Sequence, residues 1–393
     1  MQTWKTDVAV VGLGAMGAAA LYQLAIRGIA AIGLDRYDPP HEFGSTHGET
    51  RVTRQAVGEG DSFAPFVIRS HQIWRELERA TGETLLVSCG GLIIGPEDSR
   101  AVHHKKPDFI KRTREVAERF NIPHEMLSRS ELTTRFPQFT NLAQHDVAYY
   151  EPGAGFVGPE ICVSAQLKEA RRLGAKTLVN AKVTGITPTH GGVRIATATD
   201  EIVAEQVIVA AGAWTAELLG APFDRLLRVT RQVLYWFETD EPSLYAPDVC
   251  PIFIRMFGPG DEQYFYGFPT PAGATGVKVA TEQYAVTTDP NDVLRVVAED
   301  EVRHFHDAHI ANYLAHVTAR PIRQKTCLYT EAPGSNFIID RLPGNDRVHV
   351  ISACSGHGFK HSAAIGEAVV ERIMSDRIGR SDPLAPFSLD GFR

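Results

Sequence analysis

No apolar run in this chain is long enough to cross a bilayer as a helix, so no membrane span is expected. No cleavable leader is expected either. The opening MQTWKTDVAVVGLG has one early lysine and a short apolar run ending in glycines, which reads as a strand. The final SLDGFR carries no peroxisomal or retention signal, and a cytoplasmic location is the expectation. No CxxC spacing occurs. Cys89, Cys162, Cys250, Cys327 and Cys354 are scattered and odd in number, which fits reduced intracellular thiols better than a disulfide framework or a zinc site; no metal is expected. An excess of basic residues is also lacking. The 40 Lys and Arg against 47 Asp and Glu give a net charge of −7, which argues against a nucleic-acid partner while leaving room for a local basic pocket. Internal repeats and low-complexity linkers are absent.

What is present is ordinary soluble composition, 44% hydrophobic and 22% charged, over 393 residues, enough for two to three domains. Residues 7–11 (DVAVV) read as a buried parallel strand, followed by a glycine loop, a helical run and a second strand at 31–34 (AIGL). A Gly- and His-rich loop spans 41–50, and 70–80 has amphipathic helical periodicity. Residues 85–95 predict short strands, 107–137 helix, 149–159 a turn-rich junction, 160–174 helix and 176–178 a strand. A hairpin is expected from 193–198 and 202–204, then a second buried strand over 207–212. Residues 226–279 are strand-rich and predict an antiparallel layer; 292–315 return to helical periodicity. Strands at 337–340 and 348–354, a glycine turn and a helix close the chain. The nucleotide unit is therefore expected to be discontinuous, with the strand-rich layer inserted into it.

Gly12, Gly14 and Gly17 form GxGxxG between a strand and a helix. The first glycine permits the tight turn, the second lets backbone approach a pyrophosphate, and the third lets helix and strand pack closely. The helix start offers free N–H groups and the positive end of a dipole. Asp35 ends the second strand eighteen residues past Gly17, where an acid reaches ribose hydroxyls and disfavours a 2′-phosphate. The fingerprint implies a dinucleotide and leaves FAD and NAD open.

Past Asp35 the chain reads DPPHEFGSTHGETRVTRQAVGEG, with FYGFP at 265–269, KTCLYT at 325–330 and SGHGFK at 355–360. Together and in this order, these motifs resemble the monomeric sarcosine oxidase and N-methyltryptophan oxidase family, related to D-amino-acid oxidase, over nearly the whole chain. The resemblance implies FAD, and an α/β fold with a Rossmann-like, glutathione-reductase-like FAD-binding domain (1–85, 146–220 and 320–393). It also implies a substrate domain on a large mixed or antiparallel sheet (86–145 and 221–319). The implied activity is oxidation of an amine or amino acid to an imine, with O2 as acceptor and hydrogen peroxide as product, by a monomer.

The resemblance further implies roles residue by residue. Cys327, in C-x-Y-T, would be the covalent flavin attachment. His47, Arg51 and Arg54 match H-G-x-T-R-x-x-R; Arg51 would lie near the flavin, and Arg54 would pair with a substrate carboxylate together with Lys360. Lys278, in TGVKV, would promote the reaction with oxygen; in an alternating strand it would otherwise point to solvent. Tyr266 and Tyr329 would line the substrate pocket. The cofactor set implied by fingerprint and family is Gly12, Gly14, Met16, Gly17, Asp35 and Arg36, with Ser45, Thr46 and Arg51. Val183, Ala211, Gly212, Trp214, Gly356, Gly358, Phe359 and Lys360 complete it.

One position departs. Four residues past the lysine the sarcosine-type enzymes carry a histidine, and this chain has Glu282. Two readings stay open: a pocket carboxylate that orients the amine or takes its proton, and a surface acid. Substrate candidates are N-methyl, cyclic and primary amino acids. Competing readings are a flavin dehydrogenase passing electrons to another acceptor, an NAD-dependent dehydrogenase, and a non-catalytic flavin-binding subunit.

Overall fold

The computed structural model describes residues 2–97, 103–260, 263–375 and 382–392. Five parallel strands form the nucleotide end. Their order is Lys176–Leu178, Ala31–Leu34, Gln2–Val11, Asp200–Val209, Asn345–Ser352, with Val8 opposite Ala31 and Val207 opposite Val348. Ile338–Leu342 and the hairpin Val183–Thr189/Gly192–Thr197 extend this sheet antiparallel. The strand cores are apolar on both faces (Val8, Ala9, Val10 and Val11 are all buried) because helices cover one side and the hairpin and turns the other. Helices Ala15–Ile26, Pro159–Arg172, Ala64–Thr81 and Ser362–Ser375 pack together there around Leu21, Leu24, Trp74 and Leu167.

The second sheet has eight strands in the order Val317–Glu331, Arg228–Thr239, Val277–Ala280, Tyr264–Gly267, Ile252–Met256, Gly91–Pro96, Asp146–Glu151, Glu125–Leu127. Only the pair Ile252–Met256/Gly91–Pro96 is parallel. Period-two alternation divides its two faces. Val233, Tyr235, Phe237, Phe253, Phe265, Val277 and Val279 share one apolar cluster with the helix Glu299–Phe305. Each such side chain contributes about 1.5–3 kcal/mol when fully buried. Leu234, Trp236, Lys278, Ala280, Tyr266, Cys327 and Tyr329 occupy the opposite phase, which faces the nucleotide end. A three-stranded sheet of Arg51–Thr53, Gly155–Val157 and Leu86–Val87 lies between the two.

Several expectations are corrected. The helix expected over 107–137 is two helices, Phe109–Arg119 and Arg129–Arg135, around the strand Glu125–Leu127. Asn121 in the left-handed region (φ 52°) ends the first, and a capping box of Ser128 and Glu131 starts the second. Over 292–315 only Glu299–Phe305 is α-helical, with a π turn at His306–Ile310. The carbonyls of Leu294 and Val296 accept from the Arg231 guanidinium at 2.7 and 3.2 Å. The junction at 149–159 holds the end of the strand Asp146–Glu151 and the whole short strand Gly155–Val157, and 200–209 is one strand serving both the hairpin and the parallel core. Residues 146–151 and 320–331, expected with the nucleotide domain, are strands of the second sheet, because their hydrogen-bond partners are 91–96 and 228–239.

Candidate active site

The glycine loop opens a cleft of about 370 Å³ at the carboxyl ends of the parallel strands. Gly12 has φ 90°, and a Cβ at Gly17 would stand 1.7 Å from the Gly12 carbonyl oxygen, so neither position admits a side chain. Gly14, at the N-cap of the helix that starts at Ala15, has no side chain to cap it, and no acid lies in the first turn, which leaves N–H groups beyond Ala15 open to an anion. Asp35 is buried and accepts from the backbone N–H of Leu13 at 2.7 Å and of Tyr37 at 2.9 Å, fixing the loop against the second strand. Thr46 Oγ1 accepts from the Ala15 N–H at 3.3 Å. Arg36 lies 4.5 Å over the Trp214 ring. Met16, Ser45, Val183, Ala211, Gly212, Gly358 and Phe359 line the same cleft, as expected positions, and Cys354 joins them unforeseen. This cradle fits a dinucleotide in shape and in donor chemistry.

A second cavity of about 60 Å³ opens off the first. The two share Arg51, Tyr329, Gly356 and Phe359 as walls. Tyr266, Phe268, Ile254 and Val52 supply its apolar and aromatic lining, while Arg54, Lys360, Glu282, His103, His104 and His357 supply polar groups. Tyr266 and Tyr329 meet hydroxyl to hydroxyl at 3.4 Å. The expected substrate residues are therefore brought together.

Arg54 and Lys360 converge on a carboxylate that the sequence reading did not single out. Glu59, 3% exposed, lies 3.2 Å from Arg54 Nη2 and 3.4 Å from Lys360 Nζ, and His104 Nδ1 is 3.0 Å away. Burial opposes ionisation of Glu59, but Arg54, Lys360 and His104 overcome it and hold the carboxyl well below its usual range. Burial lowers Lys360 to about 8, with Glu59 acting in the opposite sense. The backbone around Arg54 is fixed by Glu151, which accepts from the N–H of Gln55 at 2.7 Å and of Ala56 at 3.1 Å.

Glu282 is not a surface acid. It is 4% exposed, accepts from Tyr264 at 2.6 Å and from the Tyr284 hydroxyl, and lies 3.1 Å from His104 Nε2 and 3.3 Å from the Tyr329 hydroxyl. Burial alone would raise its pKa; the His104 charge and hydrogen bond reverse the sign and hold it ionised. A Cβ on Gly356 would approach Glu282 Oε1 to 2.9 Å, so the glycine gives the carboxylate its room. Although His103, His104 and Glu282 gather ligand-type atoms within 4.8 Å, the His104 nitrogens and Glu282 oxygens are already spent on Glu59, one another and the tyrosines.

Lys278 points inward, not to solvent. Its Nζ donates to Gly48 O at 2.6 Å, Thr50 O at 2.7 Å and Thr50 Oγ1 at 3.0 Å, over the Phe268 ring at 4.5 Å. Burial, then the neighbouring Arg51 charge, push its pKa well down. Arg51 donates to Thr50 O and Ser45 O, both at 2.9 Å, and reaches within 3.5 Å of Cys327 Sγ. Cys327 is fully buried at the same end. His47 is buried, with no hydrogen-bond partner at either ring nitrogen among the described residues, and burial followed by Arg51 lowers its pKa to about 3. A neutral imidazole with unspent nitrogens suits a polar ligand edge.

Comparison with known proteins agrees with this geometry. The family model described as FAD dependent oxidoreductase matches residues 7–372. The chain is 35% identical to monomeric sarcosine oxidase of Streptomyces avermitilis over 387 residues, 96% of this chain and 97% of that one. It is 32% identical to N-methyl-L-tryptophan oxidase of Yersinia pestis over 390 residues, 98% and 99% of the two chains. The open form of NikD, described as an unusual amino acid oxidase, shares the fold with a TM-score of 0.83 at 22% identity, covering 98% and 97%. Among the described residues no helix is long and apolar enough to cross a membrane. The chain belongs to the FAD-dependent oxidoreductase family, and the cleft at its glycine cradle, with Asp35 buried against the loop, has the shape and donors that fit a dinucleotide.

Proposed function

We propose that this protein is an oxidase of a small amine bearing a carboxylate, an N-methyl or cyclic secondary amino acid. It removes two electrons and two protons from the CH–NH unit to give an imine that water hydrolyses, and reduces O2 to H2O2. One observation carries the reading: unspent cationic donors stand in a cavity that opens off the nucleotide cleft. Arg54 Nε has no partner among the described residues, and Lys360 Nζ spends two hydrogen bonds, on Glu59 and on His357 O at 2.9 Å, leaving a third donor. A substrate carboxylate would take these donors. Relatives named for N-methylated substrates support the choice of class.

Bound FAD supplies the acceptor for the hydride equivalent. The chain supplies the rest. Arg54 and Lys360 hold the carboxylate, and Tyr266, Tyr329 and Phe359 wall the reacting end against water. Arg51 and Lys278 place positive charge where negative charge develops during the redox steps, Lys278 on the side where oxygen is reduced. Cys327, buried beside Arg51 (a wall of both cavities), would hold the flavin covalently through a thioether; the thiol and ring-methyl hydrogens would leave as two protons and two electrons, the electrons passing through the flavin to O2. A monomer acting with small molecules alone is part of the same proposal.

The test is direct. The purified protein should be yellow and keep a fluorescent band on an acid-denaturing gel, and Cys327→Ser should lose that band. A panel of N-methyl, cyclic and primary amino acids should give one peroxide per turnover with a carboxylated secondary amine. Flavin reduction by such substrates without peroxide would instead identify a dehydrogenase.

A further inference from the structure

His104 lies outside the glycine loop and outside every motif that carries the family resemblance, yet it lines the small cavity. It sits in a tight two-residue turn closed by His103 N–H to Lys106 O at 3.1 Å and Lys106 N–H to His103 O at 2.9 Å. Both central residues, His104 (φ 48°) and Lys105 (φ 59°), adopt the left-handed conformation without being glycine. That conformation costs about 1–2 kcal/mol per residue. The turn pushes one imidazole between two buried carboxylates, Glu59 at 3.0 Å from Nδ1 and Glu282 at 3.1 Å from Nε2. Two carboxylates can both be met only by an imidazole protonated at both nitrogens.

We propose that His104 is the positioning residue that sets which form of amine the pocket accepts: as a cation between Glu59 and Glu282 it fills the place an ammonium group would take. The inference rests on the proposed carboxylated-amine oxidase and deepens it by naming the substrate form.

Charge decides the matter. The groups facing His104 are Glu59, Glu282, His103 and His357, with Arg54 and Lys360 beyond Glu59 and Tyr264, Tyr284 and Tyr329 around Glu282. Burial opposes protonation of His104, but Glu282 and Glu59 overcome it and raise its pKa. Burial keeps His103 and His357 neutral, and the tyrosine hydroxyls are driven up. In the cluster around His104, three cations (Arg54, Lys360, His104) then face two anions (Glu59, Glu282), a local surplus of one positive charge, while Arg51 stands apart on the wall shared with the nucleotide cleft, held by Thr50 and Ser45. That surplus matches one carboxylate with a neutral amine. A zwitterion must leave its ammonium proton in solvent on binding, and a cationic amine without a carboxylate meets an uncompensated positive site.

The experiment uses the FAD-loaded enzyme and reads flavin absorbance on ligand binding at pH 7. Acetate, an anion with no amine, should bind at least tenfold more tightly than methylammonium. His104→Asn removes the cation with a residue the left-handed turn tolerates; it should narrow or reverse that ratio by about tenfold or more. His104→Lys, which restores a cation, should keep the wild-type ratio. An unchanged ratio in His104→Asn would overturn the proposal. Should that variant fail to load FAD, the wild-type kcat/KM profile decides: between pH 6 and 8 it should rise about tenfold per unit for a secondary amino acid, and a flat profile overturns the proposal. If no carboxylated amine is oxidised at all, the proposed function fails, and the acetate-to-methylammonium ratio still judges His104 by itself.

Discussion

Glu59→Gln is the substitution that most sharply tests the charge arrangement. The change is isosteric and leaves an amide oxygen near Arg54, Lys360 and His104, so it removes charge with little change of shape. Breaking a buried ion pair from one side costs about 3–5 kcal/mol, because the partner charges stay buried without compensation. At about 2.1 cal/mol/K per residue, a 393-residue chain has an unfolding entropy of about 0.8 kcal/mol/K, so melting should fall by about 4–6 °C at pH 7. The pH dependence carries a sign. The folded pKa of Glu59 lies below its unfolded value, so its stabilisation is present above the ordinary carboxylate range and is lost as pH falls through the folded pKa. The gap between wild type and variant should therefore shrink under acid. The variant should also release the Lys360 proton at lower pH, since Glu59 supports that charge, and should bind carboxylates better at pH 6 than at pH 8. Thermal melts of the flavin-loaded enzyme across pH, with absorbance titrations by acetate, measure all three. Equal melting of the two proteins at pH 7 would refute the reasoning.

Two further outcomes follow from the same geometry. Lys278→Met takes a cation from three acceptors beside Arg51 and should slow reoxidation of the reduced flavin by O2 by about 10²–10³-fold, the size expected for one electrostatic donor; anaerobic reduction by substrate, followed by stopped flow, should change far less. In the wild-type enzyme, affinity for acetate should be level below pH 8 and fall as pH rises past it, because free Lys360 loses its proton at about 8 while bound carboxylate favours the protonated form. Lys360→Met should remove that step from the binding profile.

The parts of the fold that local pattern determines were legible in the sequence. Buried strands at 7–11 and 31–34, the glycine loop between them and the helices at 70–80 and 160–174 each carry a periodicity or a steric demand that neighbours in sequence express. What escaped was membership. Residues 149–151 read as the start of a turn junction over 149–159 because glycines follow them, yet they belong to the strand Asp146–Glu151 that pairs with Gly91–Pro96 across the second sheet. The long strand Val317–Glu331 was not read as a strand: KTCLYT entered only as a motif, and the first half is polar and exposed and shows no alternation against a core. Pairing across hundreds of residues is fixed by the partner, which a single window does not contain.

The site divides along the same line, and Glu282 shows why. Motifs in fixed spacing pointed to Arg51, Arg54, Lys278, Tyr266, Tyr329 and Lys360, and all of them stand at or beside the small cavity. Sequence left Glu282 between pocket and surface because an acid after a short strand carries no burial signal. Its environment comes from Tyr264 two strand positions before Tyr266, from Tyr284 and from His104, three groups that are meaningful only once folded together. Glu59, five residues after Arg54, was near enough to be suspected as its partner, but a Gly-rich polar loop offers the same pattern when solvated. His104 left no trace at all, since two histidines before two lysines read as a charged surface turn. These two residues enter the proposed balance directly: Glu59 meets Arg54, Lys360 and His104, and His104 bridges Glu59 to Glu282, so loss of either would change the charge beside the proposed carboxylate site. The proposed carboxylate contacts were legible from motif residues, whereas the groups proposed to govern the amine's protonation state come together only in the tertiary structure.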